Sequence, residues 1–288
     1  MNYRTRKGLV PYLFVAPNTL IFALFVLLPM LYGLGFSLFD GNFTTGLGHF
    51  IGLRHYQDLL HDSAFIQALL NTLWYVGAVV ALVVVLSLAL ALMVRETTVA
   101  TSIARVGFYL PVILSPVVVG VAWRWMFGSE LGIINALLTM NGGSPIPWLT
   151  DTNWARVLVT LASVWSMTGF YMVLFIGGLN TIPTDVYEAA EVDGASPAQR
   201  FWKITVPLLV PTTLLVTILA TINAFKAFEI ILVLTSGGPG DSTKLLVQNI
   251  YETAFDKSNP SYASAQSVVL FIILMLLTFI QTRVARED

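Results

Sequence analysis

An all-α, polytopic membrane fold with six transmembrane helices is what this chain predicts, and three observations carry that reading. Of 288 residues, 56% are hydrophobic and only 11% charged, against roughly 25% charged in a soluble domain. Mean hydropathy is +0.78. The charges cluster, and six of the gaps between clusters are long enough to cross about 30 Å of hydrocarbon, which takes about 20 mostly apolar residues.

The first gap, Gly8 to Phe39, predicts a helix over 10–38, in which Pro17 and Pro29 remove backbone donors and predict kinks. A basic start followed by an apolar run also describes a signal peptide. This run is about twice the length of an h-region, however, and no small-residue cleavage site follows it. Ser63 to Val94 predicts the second helix, 66–94. Val106 to Trp123 predicts the third, 104–127, with Pro111 and Pro116 as kink sites. Val157 to Thr184 predicts the fourth over 155–179, Ile204 to Phe225 the fifth over 207–233, and Ser258 to Thr282 the sixth over 262–283. A seventh charge-free stretch, Leu131 to Thr150, holds Asn141-Gly142-Gly143-Ser144-Pro145-Ile146-Pro147, whose breakers and polar groups find no partners in lipid. It reads as an outer loop. With no internal repeat and no low-complexity linker, residues 1–288 form a single transmembrane domain, with 180–206 as a polar cytoplasmic loop.

Lys and Arg set the orientation. With both termini cytoplasmic, Arg4, Arg6, Lys7, Arg95, Arg105, Arg200, Lys203, Arg283 and Arg286 lie inside, nine of fifteen. Arg54, Lys244 and Lys257 lie outside, and Arg124, Arg156 and Lys226 sit at outer helix ends. A net charge of -1 gives no reason to expect nucleic acid. The absence of cysteine excludes a disulfide framework and thiolate metal sites. His49, His55 and His61 share one loop but are irregularly spaced and lack acidic or cysteine partners, so they read as solvated loop residues and no metal is expected.

The loop after the fourth span breaks the apolar pattern. Pro183 stops the preceding helix, Thr184 is placed to cap the next, and Asp185 and Glu188 put negative charge where the helix dipole favours it. That helix runs through Tyr187 and Glu191 to about Asp193, where Gly194 supplies positive φ at the stop. Ser196-Pro197-Ala198-Gln199 then forms a capping box, and a second short helix carries Phe201, Trp202 and Ile204 until Pro207 breaks it. Asp185, Glu188, Glu191 and Asp193 outnumber Arg200 and Lys203, which disfavours DNA phosphates and anionic headgroups alike. Docking to a protein fits better.

The order Glu188-Ala189-Ala190, three residues, Gly194, nine residues, Ile204, one residue, Val206-Pro207 resembles the EAA loop of membrane subunits of binding-protein-dependent ABC importers. Val206 stands where that pattern usually has leucine. Over nearly its whole length the chain resembles the carbohydrate branch of that family, the maltose and glycerol-3-phosphate type, as its first permease subunit. Supporting stretches are Phe50-Ile51-Gly52-Leu53-Arg54-His55-Tyr56, Asn71-Thr72-Leu73, Trp148-Leu149, Ile182-Pro183 with Asp193-Gly194-Ala195-Ser196, and Leu234-Thr235-Ser236-Gly237-Gly238-Pro239.

The resemblance implies the type I importer permease fold and a bacterial or archaeal cytoplasmic membrane. It also implies that Glu188, Ala189, Ala190, Asp193, Gly194, Ile204 and Pro207 couple to a cytoplasmic ATPase. The implied partners are a second homologous permease, two ATPase subunits and an extracytoplasmic solute-binding protein docking around Glu130 to Asp151 and Ser236 to Pro260. The residues agree on energy supply. Gly237 to Lys244 is glycine-rich but lacks phosphate-loop spacing, so ATP and Mg are left to the partners and this chain carries no cofactor and no catalytic residue. None of the six charge-free cores holds the carboxylate of an ion-coupled carrier. Lys226 and Glu229, three apart on the fifth helix, read either as a snorkelling ion pair or as a polar wall of the solute path. Trp165, Tyr171, Asn180, Asn223 and Gln266 offer stacking and hydrogen bonding suited to a sugar, or serve as helix–helix glue and interfacial anchors. The expected function is thus half of the pathway of an ATP-driven importer for a sugar or sugar derivative. The competing readings are a stand-alone secondary carrier or channel, and a membrane scaffold.

Overall fold

The computed structural model describes residues 3–44, 46–96, 98–128 and 132–287, with side chains described within 12–283. The side chains of Arg4, Arg6, Lys7 and Arg286, and all of Glu130 and Leu131, lie outside the described residues. In chain order the helices are α1 (Tyr3–Phe22), a π-helical turn (Ala23–Leu27), α2 (Leu28–Phe36), α3 (Arg54–Leu59), α4 (Ser63–Met93), α5 (Val99–Ile113), α6 (Pro116–Met126), α7 (Ile133–Met140), α8 (Thr152–Asn180) and α9 (Thr184–Val192). There follow α10 (Pro197–Arg200), a π turn (Phe201–Thr205), α11 (Val206–Leu208), α12 (Val210–Phe225), α13 (Glu229–Leu234), α14 (Leu246–Tyr251), a π turn (Glu252–Asp256) and α15 (Pro260–Glu287). Only two isolated β-bridges, Phe39 with Phe50 and Asn42 with Gly46, interrupt the helical pattern among the described residues. Among the described residues, four segments are long and apolar enough to cross a membrane: Tyr12–Phe36, Ser63–Met93, Thr152–Asn180 and Pro260–Arg283. Two bent pairs bring the number to six if each crosses once: α5 with α6, bent by 99°, and Pro197–Leu208 with α12, bent by 64°.

The chain divides into two compact units, one of Met1–Asp62 with Ile250–Ile272 and one of Ser63–Asn249 with Ile273–Asp288. In the first unit, the π turn Ala23–Leu27 widens the helix where the ring of Pro29 would otherwise meet the carbonyl four residues back. Only 6% of the most apolar window of Tyr12–Phe36 is buried within the protein, as suits a helix whose solvent is lipid. After this helix, Ser37 Oγ lies 2.7 Å from Tyr56 Oη, and Tyr262 Oη donates to Asp62 Oδ2 at 3.0 Å. His55 departs from the solvated-loop expectation. It is buried, with Nε2 3.2 Å from Phe39 O and its ring edge-on to Tyr262 at 5.4 Å, because α3 folds back onto the start of α15.

In the second unit, α4 and α8 pack along their length. Val79 and Val83 on α4 and Leu158, Ala162, Met172 and Phe175 on α8 are buried, and Tyr75 Oη donates to Ser163 Oγ at 2.7 Å across the pair. Lipid tails are as apolar as leucine, so close packing rather than water exclusion holds such helices together. Gly178 shows how close: a Cβ there would overlap the side chain of Thr212 on α12. The opposite face of α4 carries the exposed Leu82, Val85 and Leu86.

The third and fifth spans depart from continuous helices. Pro116 pushes Ser115 out of the helical region (φ −59°, ψ 138°), and Leu114 is extended as well, so the expected helix over 104–127 becomes α5 and α6. The chain does not break at Pro207 either. Pro207 lies in the first turn of α11, where its missing N–H is no loss, and the bend comes at the buried Leu209, just before Pro211. At the other end, α12 stops at Phe225 with Lys226 as its C-cap, and Glu229 opens α13.

Candidate functional site

The polar loop is a closed helical hairpin. Pro183, extended at φ −61° and ψ 138°, takes the N-cap position of α9, so Thr184 is the first helical residue rather than the cap. At the far end Gly194 has φ +78°, its N–H donates to Glu191 O at 3.0 Å, and Ala195 N–H donates to Ala190 O at 2.9 Å. This pair of bonds is the Schellman closure, which satisfies the last carbonyls of α9 and turns the chain back. Ser196 and Gln199 then cap α10 reciprocally: Ser196 N–H donates to Gln199 Oε1 at 2.8 Å and Gln199 N–H to Ser196 Oγ at 3.3 Å. Two contacts tie the arms, Arg200 to Glu191 at 2.8 Å and Tyr187 Oη to Thr205 Oγ1 at 3.0 Å. The Arg95 guanidinium sits 4.9 Å from the centre of the Tyr187 ring. Arg105 donates to the carbonyls of Val94 and Arg95, closing the carboxyl end of α4. Sequence reasoning counted these two arginines only as topological charge.

The hairpin presents a mixed surface. Glu188, Ala189, Asp193, Gly194 and Pro207 are exposed, while Ala190 and Ile204 are half-buried. Beside the acids, Val192 is 88% and Trp202 68% exposed, an unusual display of apolar area on a polar element.

A second feature lies at the α5–α6 break. Pro111, Pro116, Ser166, Met167, Phe170, Tyr171 and Asn223 line a cavity of about 350 Å3, into which the interrupted third span opens. Asn223 Nδ2 donates to Tyr171 Oη at 3.0 Å, joining α12 to α8 at its wall. Of the other residues expected on a solute path, Trp165 is half-exposed with its ring 5.9 Å from Trp123, and Asn180 is exposed at the last residue of α8. Gln266 is fully buried, with Nε2 3.4 Å from Thr253 Oγ1. Lys226 and Glu229 form no salt bridge among the described residues, because the helix ends between them and they no longer share a face. No group of His, Cys, Asp or Glu among the described residues has the geometry of a metal site.

Residues 97–286 match the family model described as binding-protein-dependent transport system inner membrane component. The chain belongs to this family. Its members are transport subunits of the cytoplasmic membrane and not enzymes. Among curated members, the probable starch degradation products transport system permease protein AmyD of Thermoanaerobacterium thermosulfurigenes is 31% identical over 291 residues, covering 98% of this chain and 96% of that protein. The trehalose/maltose transport system permease protein MalF of Thermococcus litoralis is 32% identical over 289 residues, covering 99% and 96%. A chain of a bacterial alginate ABC transporter, solved in complex with an alginate pentasaccharide-bound periplasmic protein, shares the fold with a TM-score of 0.85 at 23% identity, covering 98% of this chain and 96% of that one. The permease family thus accounts for the helical order, and the fold extends beyond the matched region to nearly the whole chain.

Proposed function

We propose that this permease forms half of the translocation path of an ATP-driven importer for a sugar or sugar derivative. The hairpin 180–206 is its contact with a cytoplasmic ATPase. The observation that carries the reading is the hairpin itself. Schellman and capping-box bonds fix its shape, and Arg95 stacks on its Tyr187, yet Glu188, Ala189, Val192 and Trp202 on it are exposed, so it is a preformed knob that presents apolar and acidic groups outward. Preformed shape lowers the entropic cost of docking. In this reading both termini and the hairpin face the cytoplasm, residues 1–288 work as one permease domain, and ATP with Mg is bound by two ATPase subunits. A second permease completes the path, and a solute-binding protein delivers cargo to the opposite face, as a periplasmic protein accompanies the alginate transporter.

The carbohydrate class is supported by the names of the relatives, which transport starch products, trehalose or maltose, and by the cavity at the α5–α6 break. The exposed Asn223, held by the buried Tyr171, offers hydrogen bonding at the cavity wall, and the exposed ring of Trp165 on α8 offers a stacking surface, the two kinds of contact a pyranose requires.

Glu188→Lys and Gly194→Pro test the coupling role. Both variants are expected to insert normally and to lose uptake, with the ATPase subunits released or idle. Normal uptake in both would overturn the assignment, and uptake by this chain alone would favour a secondary carrier.

A further inference from the structure

Asn71-Thr72 and the segment from Thr235 to Leu246 lie far apart in sequence yet form one hydrogen-bonded cluster within the second unit. Asn71 Nδ2 donates to Asp241 O at 2.8 Å and to Lys244 O at 3.1 Å. Arg156, from the first turns of α8, bridges both sides: its Nη2 donates to Asn71 Oδ1 at 3.2 Å and its Nε to Ser242 O at 3.1 Å. Thr72 Oγ1 accepts from Leu246 N–H at 2.8 Å, where α14 begins. Inside the loop, Thr243 Oγ1 lies 2.7 Å from Thr235 Oγ1 and donates to Gly238 O at 2.9 Å.

The loop backbone needs that support. Ser236, Gly237, Gly240 and Asp241 all have positive φ, at 54°, 85°, 56° and 59°. For the two with side chains this region is disfavoured, so the conformation persists only where surroundings impose it. Burial divides the loop sharply: Asn71, Thr72, Ser242 and Thr243 are buried, whereas Ser236, Gly240 and Asp241 form an exposed crest. The crest is polar, with an ion pair of Lys244 and Asp241 at 2.7 Å beside it. Along the chain α12 lies between the hairpin 180–206 and the crest, so they stand on opposite membrane faces if the bent pair crosses once.

We infer that Asn71, Thr72 and Arg156 are positioning residues that hold the crest as a preformed hydrogen-bonding contact for the extracytoplasmic solute-binding protein. They therefore set how much of that protein half-saturates transport, and leave the rate at saturation alone. The inference rests on the importer reading above. A crest ordered before encounter spares the partner the cost of ordering it, so loosening the latch weakens docking without touching the path or the motor contact.

Two measurements on the assembled transporter test this. In proteoliposomes, uptake is titrated with the purified solute-binding protein that supports uptake by the unaltered complex. Asn71→Ala and Thr72→Val are expected to raise the half-saturating concentration about tenfold at an unchanged saturating rate, and Thr72→Ser, which keeps the accepting oxygen, to restore it. Because this chain has no cysteine, Ser236→Cys labelled before assembly with the partners gives it a single attachment point for a spin label. Its spectrum is expected to show an immobile crest in the parent and a mobile one with Asn71→Ala. An unchanged half-saturation, a loss confined to the saturating rate, or a label equally immobile in both overturns the inference. Uptake that needs no binding protein overturns the importer reading, and this inference with it.

Discussion

Gly194→Val isolates the turn of the hairpin from everything it touches. Gly194 has φ +78°, and a Cβ built there meets nothing within 4 Å, so the penalty is one of backbone conformation and not of collision. For an L residue that conformation costs about 1–2 kcal/mol, with a β-branched side chain at the upper end. Unwinding the turn instead gives up the bonds from Gly194 N–H to Glu191 O and from Ala195 N–H to Ala190 O. With a factor of ten for each 1.4 kcal/mol, the docked geometry is weakened about five- to thirtyfold. The assay is solute uptake in proteoliposomes together with retention of the ATPase subunits on an affinity column. Gly194→Val should lower both by roughly that factor, while Gly194→Asn, which tolerates the left-handed region, should stay within about threefold of the parent. If valine is harmless, or asparagine as damaging as valine, the backbone argument is wrong.

Other consequences can be checked in parallel. Gly178→Ala forces a methyl into Thr212 and should destabilise the bundle by about 1–3 kcal/mol, seen as a lower midpoint of thermal unfolding in detergent; Thr212→Gly in the same chain should recover much of it. Tyr171→Phe removes the hydroxyl that accepts from Asn223 and should change the half-saturating solute concentration by about two- to tenfold at a nearly unaltered melting temperature. Arg105→Ala frees the carbonyls of Val94 and Arg95 and should increase protease cleavage of the α4–α5 connection, whereas Glu191→Ala breaks an exposed ion pair and should cost under about 1 kcal/mol in thermal unfolding.

What the sequence disclosed and what it concealed divides by range. The hairpin was legible because its shape is decided locally: Gly194 and the Ser196–Gln199 box act within six residues of each other. The spans were legible as well, since lipid demands long apolar runs wherever they fall. The single-residue shift from Thr184 to Pro183 shows the limit of cap assignment, because either residue satisfies the pattern. The end of α12 was hidden for a different reason. Nothing from Phe225 to Phe228 is a glycine or proline, so no local signal warns that Lys226 and Glu229 part company. Asn71 carried no sign of a partner 170 residues away, and His55 none of the ring of Tyr262, since burial of this kind is a property of the folded chain. Pro111 and Pro116 announced a disturbance in the third span but not a bend of 99°.

That bend has a further consequence, for the solvent. A helix ending at Ile113 leaves its last carbonyls without helical partners halfway along a span, and in hydrocarbon each would cost several kcal/mol. Lipid therefore makes a poor neighbour at this depth. The carbonyl of Pro111 accepts from Leu114 N–H at 3.3 Å, and water entering the cavity beside Ser166 and Asn223, or a second subunit covering it, would serve the carbonyls beyond it. A permease of this shape is accordingly less secure alone than in company, and its cellular lifetime, followed by pulse-chase with and without a co-expressed partner, becomes a direct gauge of assembly.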